Sequence, residues 1–519
     1  MKKRALISLS DKTGLLDFAK GLIINDYEII STGNTYNMLR DNGIKALEVA
    51  NVTGFAECLD GRVKTLHPSI HGGILARRDI SGHMDFINSA GIKPIDIVCV
   101  NLYPFKQTIL NPTATPDDII ENIDIGGPAM IRSAAKNHAA VAVVVDAADY
   151  EMLLKEISTQ GNITDQTRFM LAAKAFAHTA AYDALIANYL GKLAKLPKYP
   201  STLTLSYEKA QDLRYGENPH QKAAFYKEIP SPQGTLATAT KLHGKELSFN
   251  NINDAAGALE LLQEFDQPTI VAVKHATPCG VGMGDNLYGS WQKAYKADPI
   301  SIFGGIIAAN REIDEETAIQ ISQIFIEVLI APSYTQKAIE ILTQKKNIRL
   351  LSLPMNINQQ KTSLDIKKIS GGILVQDTNN TLLPKDLPLQ YVTEKKPTQE
   401  ELQDLIFAFK LAKHIKSNGI AIAKDQGSIG LAGGQVCRIW ACQQAIDHAM
   451  QHFGPAATNG AVLASDAFFP FEDCVQEAAK ANITAIIQPG GSNGDQASID
   501  ACNKHGIAMV FTGVRHFRH

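Results

Sequence analysis

The sequence predicts an α/β protein with an N-terminal domain built on a parallel sheet and a longer C-terminal α/β region. Three observations predict it. Short apolar runs alternate with helical patterns through the first ~190 residues, a polar stretch bearing two prolines follows, and the same alternation resumes near residue 200.

The runs Ala5 to Leu9, Tyr27 to Ile30, Ile95 to Val100 and Val141 to Val145 read as strands of βαβ units, which present ligands at the carboxyl ends of their strands. A helical pattern then covers Asp165 to Leu190. Lys192 to Leu205, with Pro197 and Pro200, reads as a boundary, dividing the chain into domains 1–198 and 199–519. In the second region Asp254 is expected to cap a helix carrying Ala258, Leu259, Leu262 and Phe265, ahead of a buried strand from Thr269 to Val273. Thr398 and Glu401 form a capping box for a helix with the stripe Leu402, Leu405, Ile406, Phe409 and Ala412, and Gly419 is its expected stop. The polar, glutamine-rich stretch 347–368 reads as a connector between two halves of this region. No internal repeat is apparent.

Composition narrows the function classes. A chain of 519 residues has material for several cores, and therefore for more than one active site. With 45% hydrophobic and 20% charged residues and a net charge of -3 it lacks the basic footprint of a nucleic-acid binder, so small-molecule substrates are expected. The seven cysteines form no Cys-x-x-Cys pair and read as reduced thiols. No stretch approaches the ~18 apolar residues of a membrane span, and the apolar run after Arg4 is too short for a signal peptide, so a cytoplasmic protein is expected.

Two loops of the first domain suit an anion. Ser10-Asp11-Lys12-Thr13-Gly14 and Ser31-Thr32-Gly33-Asn34-Thr35 each follow a strand and open a helical pattern, where backbone N–H groups favour phosphate. Plain helix capping would explain either loop alone. Arg62 and Lys64 in Gly61-Arg62-Val63-Lys64-Thr65-Leu66-His67-Pro68 would share a face if extended, though a solvated surface pair reads the same way. Asn101-Leu102-Tyr103-Pro104-Phe105 follows a strand, and Ile123-Asp124-Ile125-Gly126-Gly127-Pro128 leads into a helix ending in Lys136, Asn137 and His138. Asp124 is a cap or a catalytic carboxylate. Together these are parts for closing a ring: cations for a phosphate and an oxyanion, with Lys64, Tyr103, Asp124 and Lys136 to move protons.

In the second region the strand from Thr269 runs into Lys274-His275-Ala276-Thr277-Pro278-Cys279-Gly280. A histidine there suits base catalysis near neutral pH and a lysine suits an oxyanion, but a solvated lysine beside a core histidine fits equally. Neighbours on a strand also face opposite ways, so both serve one site only if the strand ends or bulges between them. Pro278-Cys279 lacks the second cysteine and the His-x-Glu of a zinc deaminase, which argues against zinc. Phe468, Phe469 and Phe471 are more often core than a ligand platform. The terminal Arg515-His516-Phe517-Arg518-His519 is a frayed tail or an anion clamp.

Taken together, the chain resembles the bifunctional phosphoribosylaminoimidazolecarboxamide formyltransferase and inosine-monophosphate cyclohydrolase family along nearly its whole length. Ser-Asp-Lys-Thr-Gly, Gly-Arg-Val-Lys-Thr-Leu-His-Pro, Asn-Leu-Tyr-Pro-Phe, Ile-Asp-Ile-Gly-Gly, Arg-Tyr-Gly-Glu-Asn-Pro-His-Gln, Lys-His-Ala-x-Pro-Cys-Gly, Asp-Ala-Phe-Phe-Pro-Phe and Arg-His-Phe-Arg-His carry the match in order. The resemblance implies a methylglyoxal-synthase-like cyclohydrolase domain, then a transformylase region of two cytidine-deaminase-like units lacking zinc. It also implies 10-formyltetrahydrofolate as co-substrate and a homodimer with transformylase sites across its interface, and it leaves a monovalent cation open.

By the same resemblance Lys274 and His275 are the catalytic pair of formyl transfer, with Asn418 stabilising charge. Arg214, Tyr215, Asn251, Gly304 and Glu327 would line the ribonucleotide site together with Arg438, Phe468, Asp473, Arg515 and His519. Ile439, Ser492 and Asn493 would lie near that site or the folate. In the first domain Ser10, Asp11, Lys12, Thr32, Gly33, Asn34, Thr35, Arg62 and Thr65 would surround the nucleotide, with Lys64, Asn101, Tyr103, Asp124 and Lys136 nearest the chemistry. The chain departs from the family pattern at Asn34 (usually Gly), Thr277 (usually Asn), Glu327 (Asp in some members) and Ala432, which interrupts a Gly-x-Gly-x-Gly run. Asn tolerates positive φ, so the phosphate loop survives Asn34.

Two rival readings come from other classes. A deaminase-like hydrolase needs a metal whose ligands are missing, and a catalytically silent nucleotide sensor needs cations but no base beside them.

Overall fold

The computed structural model describes residues 2–355 and 364–519, and the 356–363 part of the expected connector lies outside the described residues. The chain divides into two compact units, Met1–Glu208 with Glu228–Pro230, and Lys209–Lys227 with Ser231–His519.

The first unit is built on five parallel strands, β1 (Lys3–Ser8), β2 (Tyr27–Ser31), β3 (Ala46–Glu48), β4 (Ile97–Val100) and β5 (Ala142–Val144), in the order β3-β2-β1-β4-β5. All four apolar runs of the sequence contain strands, and β4 and β5 are buried at every position, as strands covered on both faces must be. The short β3, Ala-Leu-Glu, carries no such signal. Strand order reverses between β1 and β4, which opens a crevice at their carboxyl ends. The long helix spans Asp165–Leu193 and is capped by the Thr164 side chain.

The second unit contains a twelve-stranded sheet with two β-hairpins side by side at its middle. Thr269–Lys274 pairs with Thr277–Met283, Ile420–Lys424 pairs with Gly427–Ala432, and Gly282 bridges Gly427 between them. Beyond the first hairpin lie Ile306–Ala309, Val328–Ala331 and Arg349–Ser352, and beyond the second lie Val462–Ser465, Ala485–Gln488 and Ala508–Phe511. Each half is thus a helix, a hairpin, a helix and three parallel strands.

That order is an internal duplication, which the sequence does not display. It survives in geometry: a Cβ on Gly280 would collide with the Ala294 carbonyl, and one on Gly430 would collide with that of Ala445, so each hairpin packs against the helix after it at a glycine. Side-chain identity drifts freely around such a contact, whereas the close approach does not.

Two helix ends differ from expectation. Ser248, in a capping box with Asn251, caps the helix Phe249–Leu262 in place of Asp254, and Phe265 lies beyond its end. The Thr398–Glu401 box is present, but its helix stops at Lys413, short of Gly419, because the chain turns into the strand that begins at Ile420.

Candidate active sites

At the crevice of the first unit, Asn101 is turned back onto the loop after β1. Its Oδ1 accepts from Ser10 N at 2.6 Å and Asp11 N at 3.2 Å, and its Nδ2 donates to Asp11 O at 2.7 Å. Buried Thr35 clamps the same loop, its Oγ1 accepting from Leu9 N at 3.0 Å and donating to Leu9 O at 2.9 Å. Both side chains therefore shape the loop. Asp11 accepts from Thr13 N and Oγ1, bonds that hold its carboxyl below the usual range. Lys12 folds over the strand end, 3.3 Å from Ser10 O.

The helix Gly33–Asp41 begins after Thr32 with no side-chain cap. Gly33 carries the positive φ there (53°), while Asn34 lies in the helix's first turn, so no left-handed tolerance is asked of it. Lys64, paired with Glu57 at 3.1 Å, reaches this helix start: a Cβ on Gly33 would lie 3.5 Å from its Nζ. An ammonium beside free helix N–H groups is a phosphate-binding arrangement.

Asp124 stands just before the helix Gly126–Lys136, where it accepts a backbone N–H of the first turn as a cap would and also carries a perturbed carboxyl. Its Oδ1 accepts from Gly127 N at 2.7 Å and it also takes the Tyr103 N–H. Burial pushes the carboxyl up and outweighs those two bonds. Thr65 faces the same helix start, where a Cβ on Gly126 would lie 3.0 Å from its Oγ1. Tyr103, an exposed ring, completes this group.

Two expected members stand apart. Exposed Arg62 pairs with Glu121. Lys136 is exposed at the opposite end of Asp124's helix, about 15 Å along its axis at 1.5 Å per residue. One chain does not bring Lys136 to Asp124.

In the second unit Lys274 ends its strand, and His275 (φ 54°) and Ala276 (φ 55°) form a two-residue turn with both central residues left-handed. Strand alternation stops before His275, so the facing objection does not apply. Asp254 grips the turn, accepting from His275 N at 3.0 Å and Ala276 N at 2.8 Å. Lys274 Nζ donates to Phe303 O at 2.9 Å, and His275 is exposed at the tip. Burial pushes the nearby Cys279 thiol up to about 12, which removes it as a nucleophile.

The register Val273–Ile306–Val328 gathers Lys274, Gly304 and Glu327 at one edge of the sheet. Glu327 accepts from buried Asn251 at 2.9 Å and from Arg349 at 3.2 Å, so its charge is balanced within the protein. Gly304 (φ 73°) donates its N–H to Phe325 O at 2.7 Å. Arg214 and Tyr215 bond each other at 2.9 Å, the guanidinium 4.7 Å above the ring.

The second half contributes the loops after its three parallel strands. Buried Arg438 donates to Asn418 Oδ1 at 2.7 Å, to Ser465 Oγ at 2.8 Å and to the fully buried Asp466. Asn418 also donates to Gln435 O at 2.8 Å, and Ile439 follows Arg438 on its helix. Phe468 is exposed beside buried Phe469, so the phenylalanine cluster divides between surface and core. Asp473 starts the helix Asp473–Lys480, Ser492 Oγ accepts from Gly494 N at 3.0 Å, and Asn493 is exposed beside it.

The C-terminal segment is docked. His516 is 1% exposed, donates its N–H to Asp466 O at 2.8 Å, and is bonded through both ring nitrogens, to Asn379 and Leu382 O at 2.9 Å each. Arg518 binds Glu260 at 2.9 Å and His414 at 3.2 Å. Arg515 stacks on Phe517, whose ring lies 5.5 Å from that of His519.

Lys274 and Asn418 share an edge of the sheet without touching. Their strands are three places apart, about 14 Å at ~4.8 Å per step. Asp254, Arg349, Ser417 and Asp466 have positioning roles that residue patterns do not reveal. One signal was available: Asp254 lies 21 positions before His275, and Asp404, which accepts from Asp425 N and Gln426 N, lies 21 before Asp425.

A parallel-sheet unit with a phosphate-suited crevice and a duplicated α/β unit with an exposed histidine on its hairpin turn define a two-site α/β protein of the enzyme class. A family model described as "MGS-like domain" matches residues 14–129, and one described as "AICARFT/IMPCHase bienzyme" matches 134–448. The "Bifunctional purine biosynthesis protein PurH" of Acetivibrio thermocellus is 59% identical and that of Ruminiclostridium cellulolyticum 56%, each over 100% of both chains. A solved structure described as "Crystal structure of ForH" is 37% identical, covers 37% of this chain and 100% of its own, and has a TM-score of 0.34. The chain belongs to the AICARFT/IMPCHase bienzyme family. It is a bifunctional enzyme of purine synthesis, an aminoimidazole carboxamide ribonucleotide (AICAR) formyltransferase and inosine monophosphate (IMP) cyclohydrolase.

Proposed function

We propose that the two reactions divide at the sequence boundary: residues 199–519 transfer the formyl group from 10-formyltetrahydrofolate to AICAR, and residues 1–198 close the second ring. The hairpin turn held by Asp254, which sets His275 and Lys274 at one corner, is the observation that carries the first assignment. His275 removes a proton from the AICAR amine as the amine attacks the formyl carbon, and Lys274 and Asn418 stabilise the oxyanion before tetrahydrofolate leaves. Arg214, Tyr215, Asn251, Gly304, Glu327, Arg438 and the terminal segment hold the ribonucleotide, and Ile439, Ser492 and Asn493 lie near that site or the folate.

In the first unit Lys12 and the helix start at Gly33 hold the phosphate. The carboxamide nitrogen attacks the formyl carbon, Asp124 takes its proton, and Tyr103 and Lys64 assist the departure of water. The perturbed carboxyl of Asp124 supports that role.

The duplicated halves of the second unit are cytidine-deaminase-like, and the enzyme acts in the cytoplasm as a homodimer. The gap between Lys274 and Asn418 within one chain supports a transformylase site completed by a second copy, and the remoteness of Lys136 allows the same for cyclisation. An assay of purified protein with AICAR and 10-formyltetrahydrofolate, following tetrahydrofolate and IMP together, tests the reading. Both products are expected; tetrahydrofolate without IMP overturns the assignment to the first unit, and neither product favours a silent sensor.

A further inference from the structure

We propose that Asp298, His448 and His452 form a binding site for one divalent transition-metal ion of the zinc class, which ties together the two halves of the second unit. None of the three belongs to the sites above. His448 and His452 lie one turn apart on the helix Arg438–Phe453 of the second half, and Asp298 ends the helix Leu287–Ala297 of the first. Two histidines at i and i+4 on one helix face are a metal-binding spacing.

The geometry fits such an ion. One ligand atom from each residue lies within 4.8 Å of the others. His448 Nε2 is 3.0 Å from Asp298 Oδ2 and His452 Nε2 is 3.6 Å from Asp298 Oδ1, so each imidazole faces one oxygen of the same carboxylate at a span near the ~3.3 Å that separates ligand atoms on a zinc-class ion. Asp298 is buried, and its Oδ1 is oriented by Ile300 N at 3.1 Å and Ser301 N at 2.8 Å, the outer support that metal carboxylates receive. Asp298 terminates one helix and His452 lies in the last turn of the other, and helix carboxyl ends favour a cation. Two imidazoles and a carboxylate select zinc, cobalt or nickel over magnesium or calcium, with water in the fourth position.

Binding replaces the proton that His448 Nε2 shares with Asp298 and cross-links the halves. Asp298 opens the loop that carries Phe303, whose carbonyl holds Lys274, so the ion stiffens the support of a catalytic residue.

Chelator-treated full-length protein titrated with Co²⁺ alone should develop tetrahedral visible absorption that saturates at one equivalent per chain and is displaced by Zn²⁺. The affinity should fall at least tenfold in H448Q/H452Q and in D298N. Zn²⁺ should raise the thermal midpoint of the parent by about 2 °C or more, and that of the variants by less. If the double variant fails to fold, H452Q and D298N decide the matter. No saturable absorption, or equal binding by parent and folded variants, overturns the site and leaves a hydrogen-bonded His–Asp contact.

Discussion

Asp254 holds His275 by its backbone, with one carboxylate oxygen 3.0 Å from His275 N and the other 2.8 Å from Ala276 N. Asp404 does the same for Asp425 and Gln426 in the second half, at 2.8 and 2.7 Å. A grip repeated in both halves is structural in origin, but only the first half places a histidine on the turn. Asp254→Asn turns one acceptor into a donor facing an N–H and shifts the turn. Formyl-transfer kcat should fall by ~10–100-fold, as expected for misplacement of a base, with cyclisation of supplied formylated ribonucleotide unchanged. Asp404→Asn should lower stability without that kcat loss, and similar kcat values for the two variants would remove the positioning role.

His275→Ala should abolish formyl transfer and leave cyclisation nearly intact, whereas Lys64→Ala should impair cyclisation alone. Separate assays of the two half-reactions check this. Loss of both activities in either folded variant would refute separate sites.

As the base proposed for ring closure Asp124 would act only when ionised, and burial raises its carboxyl above the usual range. The cyclisation rate should therefore rise with pH along a limb lying above that of an ordinary aspartate. Asp124→Asn should remove the limb and lower the rate by ~10²–10⁴, the usual contribution of a general base. A limb that survives the substitution belongs to another group.

Glu264 should set an acid limit to stability. Burial works against its charge, but His414 and Lys413 outweigh burial and hold its carboxyl down to about 2. A depressed carboxyl stabilises the fold fully above its unfolded pKa of 4.5 and loses that contribution as pH falls from 4.5 toward 2. Glu264→Gln should flatten urea-denaturation stability across that window, by up to about 3 kcal/mol.

Arg438→Met should be among the most destabilising substitutions in the second unit. It leaves Asp466, 0% exposed, without its cation, and losing one partner of a buried pair costs about 3–5 kcal/mol. Chemical denaturation reads this directly, and a cost below 1 kcal/mol would show that Ser417 and water suffice for Asp466.

Legibility differed between the two units for physical reasons. Strands buried on both faces are written as continuous apolar runs, so β1, β2, β4 and β5 could be read locally, and the Thr398–Glu401 box names its own helix. Asp254 could not be read this way. An aspartate near a helix start looks like a cap, and only the folded hairpin reveals that its partners lie 21 and 22 positions away. Asn101 and Thr35 were legible as members of the crevice, but their use in shaping the loop after β1 depends on strand order, which no local pattern encodes.

By itself, then, the sequence determined the α/β class and, through ordered motifs, the family, and it singled out the loops that could take phosphate and Lys274–His275 as candidates, because each of these is expressed in residues close together in the chain. Only the tertiary structure decided that the two halves of the second unit repeat one order of helix, hairpin, helix and three strands, that the strand ends between Lys274 and His275, that Lys136 stands about 15 Å from Asp124's end of their helix, and that the terminal histidine-rich segment is docked. Those properties depend on backbone reversals and pairings between residues tens to hundreds of positions apart, such as Ser417 with Arg518, and the free energy that selects them exists only once the sheets have assembled.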